Sequence, residues 1–215
     1  MTQHRINALD IVPQAWRNGG GQTRELWVWP PAGSKGHDDW RLRISLADIT
    51  QDGPFSAFEG VARWFTVVSG AGVVLTLPGG PLSLRPGDAP LAFDGASAPA
   101  CSLLAGPTQD LNLMTRHGQG FMKIIADSAR QTCAGGQFGL YCRLAGYLQD
   151  GSGQRHALPA RGLFWDDDAK AGSDWTFTLQ DSANGNTTAT TALAHPTVAS
   201  EPAGWWLGFT AEAAC

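Results

Sequence analysis

The sequence of 215 residues predicts an all-β chain. Three observations carry this. Apolar residues alternate with a period of two, glycines and prolines punctuate the chain at short intervals, and the second half looks like a faded copy of the first. Its 27 glycines and 13 prolines favour turns between short strands over long helices. At 43% hydrophobic and 16% charged residues, the chain has enough apolar side chains for a core and too little charge for disorder.

The elements follow in order. Residues 16–25, WRNGGGQTRE, place three glycines beside a polar cluster, and the β-rich TRELWVWP comes next. In WRLRISLADI (40–49), Trp40, Leu42, Ile44 and Leu46 fall on one side and Arg41, Arg43, Ser45 and Ala47 on the other, which is a half-buried strand. ARWFTVVSGAGVVLTL (62–77) is two β-rich runs broken at Gly70-Ala71-Gly72, a hairpin signal. LSLRPGDAPLAFDG (82–95) turns at Pro-Gly-Asp, and CSLLAG leads into DLNLMTR (110–116). There Asp110, Asn112 and Met114 share one face and Leu111 and Leu113 the other. Strands this short predict a sandwich or barrel. The one helical pattern, a weak one, lies at 126–134. LRPGDAPLAFDG (84–95) aligns with LPARGLFWDDD (158–168), and GVVLTLPGGPLSL (72–84) with GYLQDGSGQRHAL (146–158). A duplication would put its boundary at 117–135, where Gly118, Gly120, Gly135 and Gly136 gather.

Composition excludes several functions. A net charge of −4 and a pI near 5.6 give no basic footprint for nucleic acid. No apolar run reaches membrane-spanning length, and MTQHRINALDIV is no secretory signal, so a soluble, cytoplasmic protein is expected. Cys101, Cys133, Cys142 and Cys215 form no C-x-x-C pair and read as reduced thiols packed as small hydrophobes. The triple glycine is no phosphate cradle. No G-K-[ST] follows, the glycines are consecutive, and a strand rather than a helix N-terminus comes after them. They read as a bulged turn at positive φ.

WRNGGGQTREL (16–26), RISLADITQDGPFSAFEGVARWFTVVSGAG (43–72), LAFDG (91–95) and GPTQDLNLMTR (106–116) together resemble the HutD/Ves family. The resemblance is dense and in order over the first half. In the second half it extends only to length and β pattern. It implies two cupin-type β-barrels of the RmlC-like jelly-roll kind, a bicupin by duplication. The N-terminal barrel would span 1–120 and the C-terminal barrel 121–215, with the N-terminal strand free to cross over. It also implies a connection to histidine utilisation, whose enzymes take histidine through urocanate to formylglutamate. In the family the Asn-Gly-Gly-Gly segment precedes the first barrel strand, so Asn18, Arg24 and Glu25 would stand beside the lumen. The alternative is that Arg24 and Glu25 pair on the surface, for no more than about 1 kcal/mol.

Most catalytic cupins hold a metal through His, His, Glu and a later His. This chain has five histidines, His4, His37, His117, His156 and His195, and no H-x-H pair. Where the first ligands would stand, FEGVARWFTVVSG offers Arg63, and the later FDGASA offers no His. No metal or other cofactor is therefore expected, and no catalytic residue is assigned.

What the lumen retains is chemistry for an anion. Arg43 and Ser45 share a face, Arg63 begins the next strand pair, and Asp110 and Asn112 share another face. Arginine forks match carboxylates bidentately, while Ser45, Asn112 and Asp110 supply further donors and acceptors. Trp16, Phe55 and Phe93 would wall the cavity. The set suits formylglutamate or urocanate. The alternative is a solvent-facing sheet, on which Asp110 pairs with Arg41 or Arg43. Three readings follow. One is an accessory protein that binds a small carboxylate. A second is a stress-related structural or interaction protein, with one of the adjacent Trp205 and Trp206 in the core and the other at an exposed surface or interface. The third is a metal-free enzyme using Asp110 or Glu25 as base, without a visible Ser-His-Asp or Cys-His set. The partner expected is a small carboxylate, with a homodimer left open.

Overall fold

The computed structural model describes residues 2–30, 39–180 and 201–211. Strand β1 (Gln3–Asn7), a 3-10 turn (Ala8–Asp10) and β2 (Gln14–Ala15) lead into the first half. That half contains β3 (Gly21–Trp29), β4 (Leu42–Ile49), β5 (Gly53–Pro54), β6 (Ala62–Ser69), β7 (Val73–Leu77), β8 (Gly80–Leu84), β9 (Leu91–Asp94), β10 (Ala100–Leu103) and β11 (Thr108–Thr115). The second contains β12 (Gly118–Ile125), β13 (Ala129–Thr132), β14 (Gly136–Cys142), β15 (Gly146–Gln149), β16 (Arg155–Leu158), β17 (Gly162–Ala169), β18 (Asp174–Leu179) and β19 (Gly204–Ala211).

The strands form four sheets, ordered β2-β3-β4-β11-β6-β9, β5-β10-β7-β8, β1-β17-β14-β19-β12 and β13-β18-β15-β16. The hydrogen-bond ladders do not close into the two barrels expected. From β4 to β7 and from β12 to β15, successive strands alternate between a large and a small sheet, so each half is a sandwich joined by side chains. The order repeats after eight strands: β4-β11-β6-β9 matches β12-β19-β14-β17, and β5-β10-β7-β8 matches β13-β18-β15-β16. The aligned segments 72–84 and 146–158 carry β7–β8 and β15–β16. Strand β1 sits in the large sheet of the second half, where Arg5 pairs with Phe164.

The period-two pattern explains the packing. Leu42, Ile44 and Leu46 of β4 and Leu111 and Leu113 of β11 meet Tyr141, Trp165, Trp205, Leu207 and Phe209 of the other large sheet in one core. The opposite face of the first large sheet gives Phe65 and Val67, which pack on Val73, Leu75 and Cys101 of the small sheet. In the second half Phe138, Phe164, Trp175, Phe177 and Trp206 fill the same position. Strand β4 is thus covered on both faces, not half-exposed. Trp205 and Trp206 do face opposite ways, yet both are fully buried, because β19 is central and has a core on each side. The helical pattern at 126–134 is overridden by pairing of β13 with β18. Among the described residues, no helix is long and apolar enough to cross a membrane.

Candidate functional site

The glycine triplet builds the mouth of a cavity. Gly19, at φ +72, closes a turn in which its N–H reaches the Trp16 carbonyl at 3.0 Å. The Gly20 N–H donates to Asn18 Oδ1 at 3.0 Å, which fixes the asparagine side chain. Gly21 lies so close to β4 that a β carbon would stand 2.3 Å from the Asp48 carbonyl oxygen and 3.0 Å from the Trp16 ring. Trp16 is pinned further by its Nε1–H on Thr23 Oγ1 at 2.8 Å.

Behind this mouth lies a cavity of about 460 Å³ in the first half. Its wall follows from strand alternation. Arg43, Ser45 and Ala47 come from one face of β4, Asp110, Asn112 and Met114 from β11, and Arg63 from β6. Cross-strand register sets them in rows: Arg63–Met114–Arg43, then Phe65–Asn112–Ser45, then Val67–Asp110–Ala47. A register shift between Gln109 and Asp110 marks the rim, where bulges commonly re-aim side chains. Phe55 and Phe58 join the wall from the loop between β5 and β6.

Arg63 and Asp110 dominate the chemistry. Arg63 is 6% exposed, and its guanidinium carbon lies 5.0 Å from the Phe55 ring centre, 5.8 Å from that of Phe58 and 5.1 Å from that of Phe93. Its Nη2 donates to Asn112 Oδ1 at 2.8 Å, while Nε and Nη1 have no hydrogen-bond partner among the described residues. Burial lowers its pKa to about 10; Asp110 opposes this and Arg43 adds to it. Asp110 is 1% exposed and accepts the Asn112 Nδ2–H on Oδ1, while Oδ2 has no hydrogen-bond partner among the described residues. Burial pushes this carboxyl up to about 8 against the pull of Arg63 and Asn112, with Asp48 adding to the rise.

Of the residues expected at the site, Asn18, Arg43, Ser45, Phe55, Arg63, Asp110 and Asn112 line the cavity together. Glu25 pairs with Ser45 and shares the cavity face of the sheet, but it is not among the lining residues; its Oε2 lies 3.0 Å from Arg43 Nε. Arg24 falls on the other face of β3 and pairs with Asp48 at 2.7 Å, so it is no part of the cavity. The alternative of a solvent-facing sheet fails because Asp110 is buried. Phe93 acts through Arg63 rather than as lining. Sequence reasoning missed Arg17 and Phe58, which sit in loops without period, and left out Met114, although it shares the alternation of Asp110 and Asn112.

A transition metal does not fit this donor set. The cavity offers guanidinium groups, which repel cations, beside one carboxylate and no imidazole. Among the described residues no three His, Cys, Asp or Glu side chains gather as metal ligands. His4 pairs with Asp167 and His156 with Asp150, His117 sits at φ 50, and His37 and His195 lie outside the described residues. The Cys101 and Cys142 thiols are buried and pushed up, to about 12 and about 11, chiefly by that burial, which disfavours the thiolate. Cys133 is buried too, and Cys215 lies outside the described residues.

The HutD family model matches residues 8–186 of this chain. The chain belongs to the HutD family. Over 110 residues it is 40% identical to an uncharacterized Pseudomonas putida protein from the 3′ region of hutC, a match covering 51% of this chain and 56% of that one. The chain thus spans little more than half the length of that relative. Protein Ves of Citrobacter koseri is 32% identical over 153 residues, covering 71% of this chain and 77% of Ves. The structure of HutD from Pseudomonas fluorescens SBW25, in a formate condition, superimposes with a TM-score of 0.75 at 25% identity, covering 97% and 98% of the two chains. The chain shares the all-β fold of that HutD structure.

Proposed function

We propose that this HutD-family protein binds a small carboxylate metabolite without a metal, in an accessory or regulatory role in histidine degradation, in the cytoplasm. Formylglutamate and urocanate are the ligands in view. The observation that carries the reading is Arg63, a guanidinium buried among three phenyl rings with two nitrogens unpartnered. A buried guanidinium keeps its charge and needs an anion or several acceptors, and among the described residues it has one hydrogen-bond acceptor, Asn112. Arg43 on the same wall and Arg17 at the mouth add positive charge. The link to histidine rests on the family and on the hutC-region relative. The repeated strand order supports a two-domain origin by duplication, in which the first half kept a polar interior and the second was filled with aromatic side chains.

The interaction-protein reading loses its contact surface, since Trp205 and Trp206 are both buried. An enzyme of the nucleophile–imidazole type is disfavoured too, because no His or Cys stands among the lining residues beside Ser45 or Ser56. The test is a thermal-shift screen with histidine, urocanate, formylglutamate, glutamate and formate, followed by calorimetry. A ligand at about 100 times its Kd stabilises the fold by about 2.7 kcal/mol. A shift with at least one acid is expected. No response to any acid at millimolar concentration overturns the reading.

A further inference from the structure

We propose that Asp110 meets the ligand as a carboxylic acid that donates its Oδ2 proton, so that the cavity selects acids carrying a hydrogen-bond acceptor and rejects acids carrying an ammonium group. This rests on the reading of the cavity as an acid-binding site and adds which acids it takes.

The argument starts at Arg63, which has donors only. Its Nη2–H therefore fixes Asn112 with Oδ1 toward the guanidinium. That leaves Asn112 Nδ2 toward Asp110, where it donates to Oδ1. One oxygen of Asp110 is thereby an acceptor, and a proton on the carboxyl belongs on the other. Oδ2 is that other oxygen, buried and without a partner on the wall of the cavity. An ionised carboxylate here would hold one neutral hydrogen bond and no direct ion pair, which burial penalises heavily. A neutral carboxyl needs only one acceptor for its O–H, and a ligand in the cavity can supply it.

Of the charged groups around Asp110, Asp48 on β4 favours the neutral acid and Arg63 on β6 opposes it, with burial outweighing that pull; Arg43 on β4 acts on Arg63, and the Cys101 thiol on β10 is itself pushed up by Asp110. Asp48 is occupied by Gln22, Arg24 and Gln109. Glu25 offsets Arg43. With Asp110 neutral, Arg63 has no ion-pair partner among the described residues. A ligand carboxylate answers it, whereas an ammonium group on the same ligand would meet guanidinium groups and no free anion. Burial raises the Asp110 pKa to about 8, so the acid form persists at neutral pH.

The test uses the full chain labelled with 13C-aspartate, the Asp110 carboxyl being assigned by its loss in Asp110→Asn. Asp110 is expected neutral at pH 6 and titrating near pH 8. An Asp110 already ionised at pH 6 overturns the inference whatever binds. Calorimetry with glutarate and glutamate, which differ by the ammonium group, reads the selection. Glutarate should bind at least about tenfold tighter, with its Kd rising about tenfold per pH unit above the Asp110 titration as the competent form is depleted. In Asp110→Asn, whose carboxamide donates at every pH, the profile should be flat. Glutamate binding as well as glutarate, or an equally steep profile in Asp110→Asn, overturns the selection. No binding of glutarate or of any acid in the screen, with Asp110 neutral at pH 6, overturns the acid-binding reading and the selection with it. Asp110 ionised while an acid binds overturns this inference alone.

Discussion

Asn112 bridges Arg63 and Asp110, taking the guanidinium on Oδ1 and giving its amide hydrogen to the carboxyl. The asparagine keeps a buried cation and a buried acid from cancelling each other. The first prediction follows from that separation. Asn112→Asp sets a carboxylate directly on Arg63 and neutralises the cavity. The variant should fold, since the new pair satisfies the guanidinium, and should lose at least about tenfold in acid affinity by calorimetry. Undiminished affinity would show that Arg63 is not the anion's partner.

Arg63→Met tests the same cation from the other side. A charge-assisted hydrogen bond is worth about 1.5–3 kcal/mol, so acid affinity should fall by roughly one to two decades. Stability should change little, because replacing a buried charge by an apolar side chain of similar volume is often neutral. Arg24→Met is the control. Its ion pair with Asp48 is part-exposed and on the opposite face of the strand, so it should cost under about 1 kcal/mol and leave affinity unchanged.

Asp110 should also leave a mark on stability against pH without any ligand. Its pKa rises from 3.8 to about 8 on folding. The folded chain then holds a proton that the unfolded chain releases between those values. The favourable contribution is full below about pH 4 and is lost progressively up to about pH 8. Urea unfolding at pH 5, 6.5 and 8 should show the wild type losing stability relative to Asp110→Asn as pH rises. A constant difference would place the titration elsewhere.

The sequence made the strands legible because alternation survives in β4 and β11 whichever layer covers them. Leu42, Ile44, Leu46 and Arg43, Ser45, Ala47 separate cleanly by parity. It did not reveal that both faces are buried. Alternation alone leaves the polar face of Ser45 and Asp110 open between a lumen and solvent, and the small sheet packed opposite makes it a lumen. The same limit hid the burial of both tryptophans in β19, which depends on its central place between β12 and β14. Arg24 was misplaced because the loop entering β3 leaves its parity open until the pairing Arg24↔Leu46 is known. The glycines were read correctly as a turn at Gly19. The close approach of Gly21 to Trp16 and β4 needs coordinates.

The last prediction concerns the N-terminal strand, which crosses into the second half and is held there by a buried pair. Asp150 Oδ1 accepts the Ser152 N–H at 2.8 Å, its hydroxyl at 2.6 Å and the Gln154 N–H at 3.1 Å. Asp150 Oδ2 lies 2.7 Å from His156 Nε2 and accepts the Gln3 amide at 3.0 Å. Arg5 Nη2 meets His156 Nδ1 at 2.5 Å, and a guanidinium can only donate. Nδ1 is therefore the acceptor, so Nε2 carries the hydrogen that Asp150 takes. Two residues of β1, Gln3 and Arg5, are thus bound to one aspartate–histidine pair. Burial opposes the Asp150 charge, but the hydrogen bonds from Ser152, His156 and Gln3 outweigh it and hold the carboxyl down to about 2. The stabilisation is present above the unfolded value of 3.8 and is lost as pH falls toward 2. Asp150→Ala leaves the His156 Nε2–H and the Ser152 donors unpaired and should cost about 1–3 kcal/mol for each buried donor left unsatisfied. Its acid-unfolding curve should be flatter than wild type between pH 4 and 2. Hydrogen exchange should speed up at residues 3–7, whose ladder to β17 depends on the clasp, and acid binding in the first-half cavity should be unchanged. Exchange that stays slow in β1 would mean that its pairing with β17 alone holds the strand.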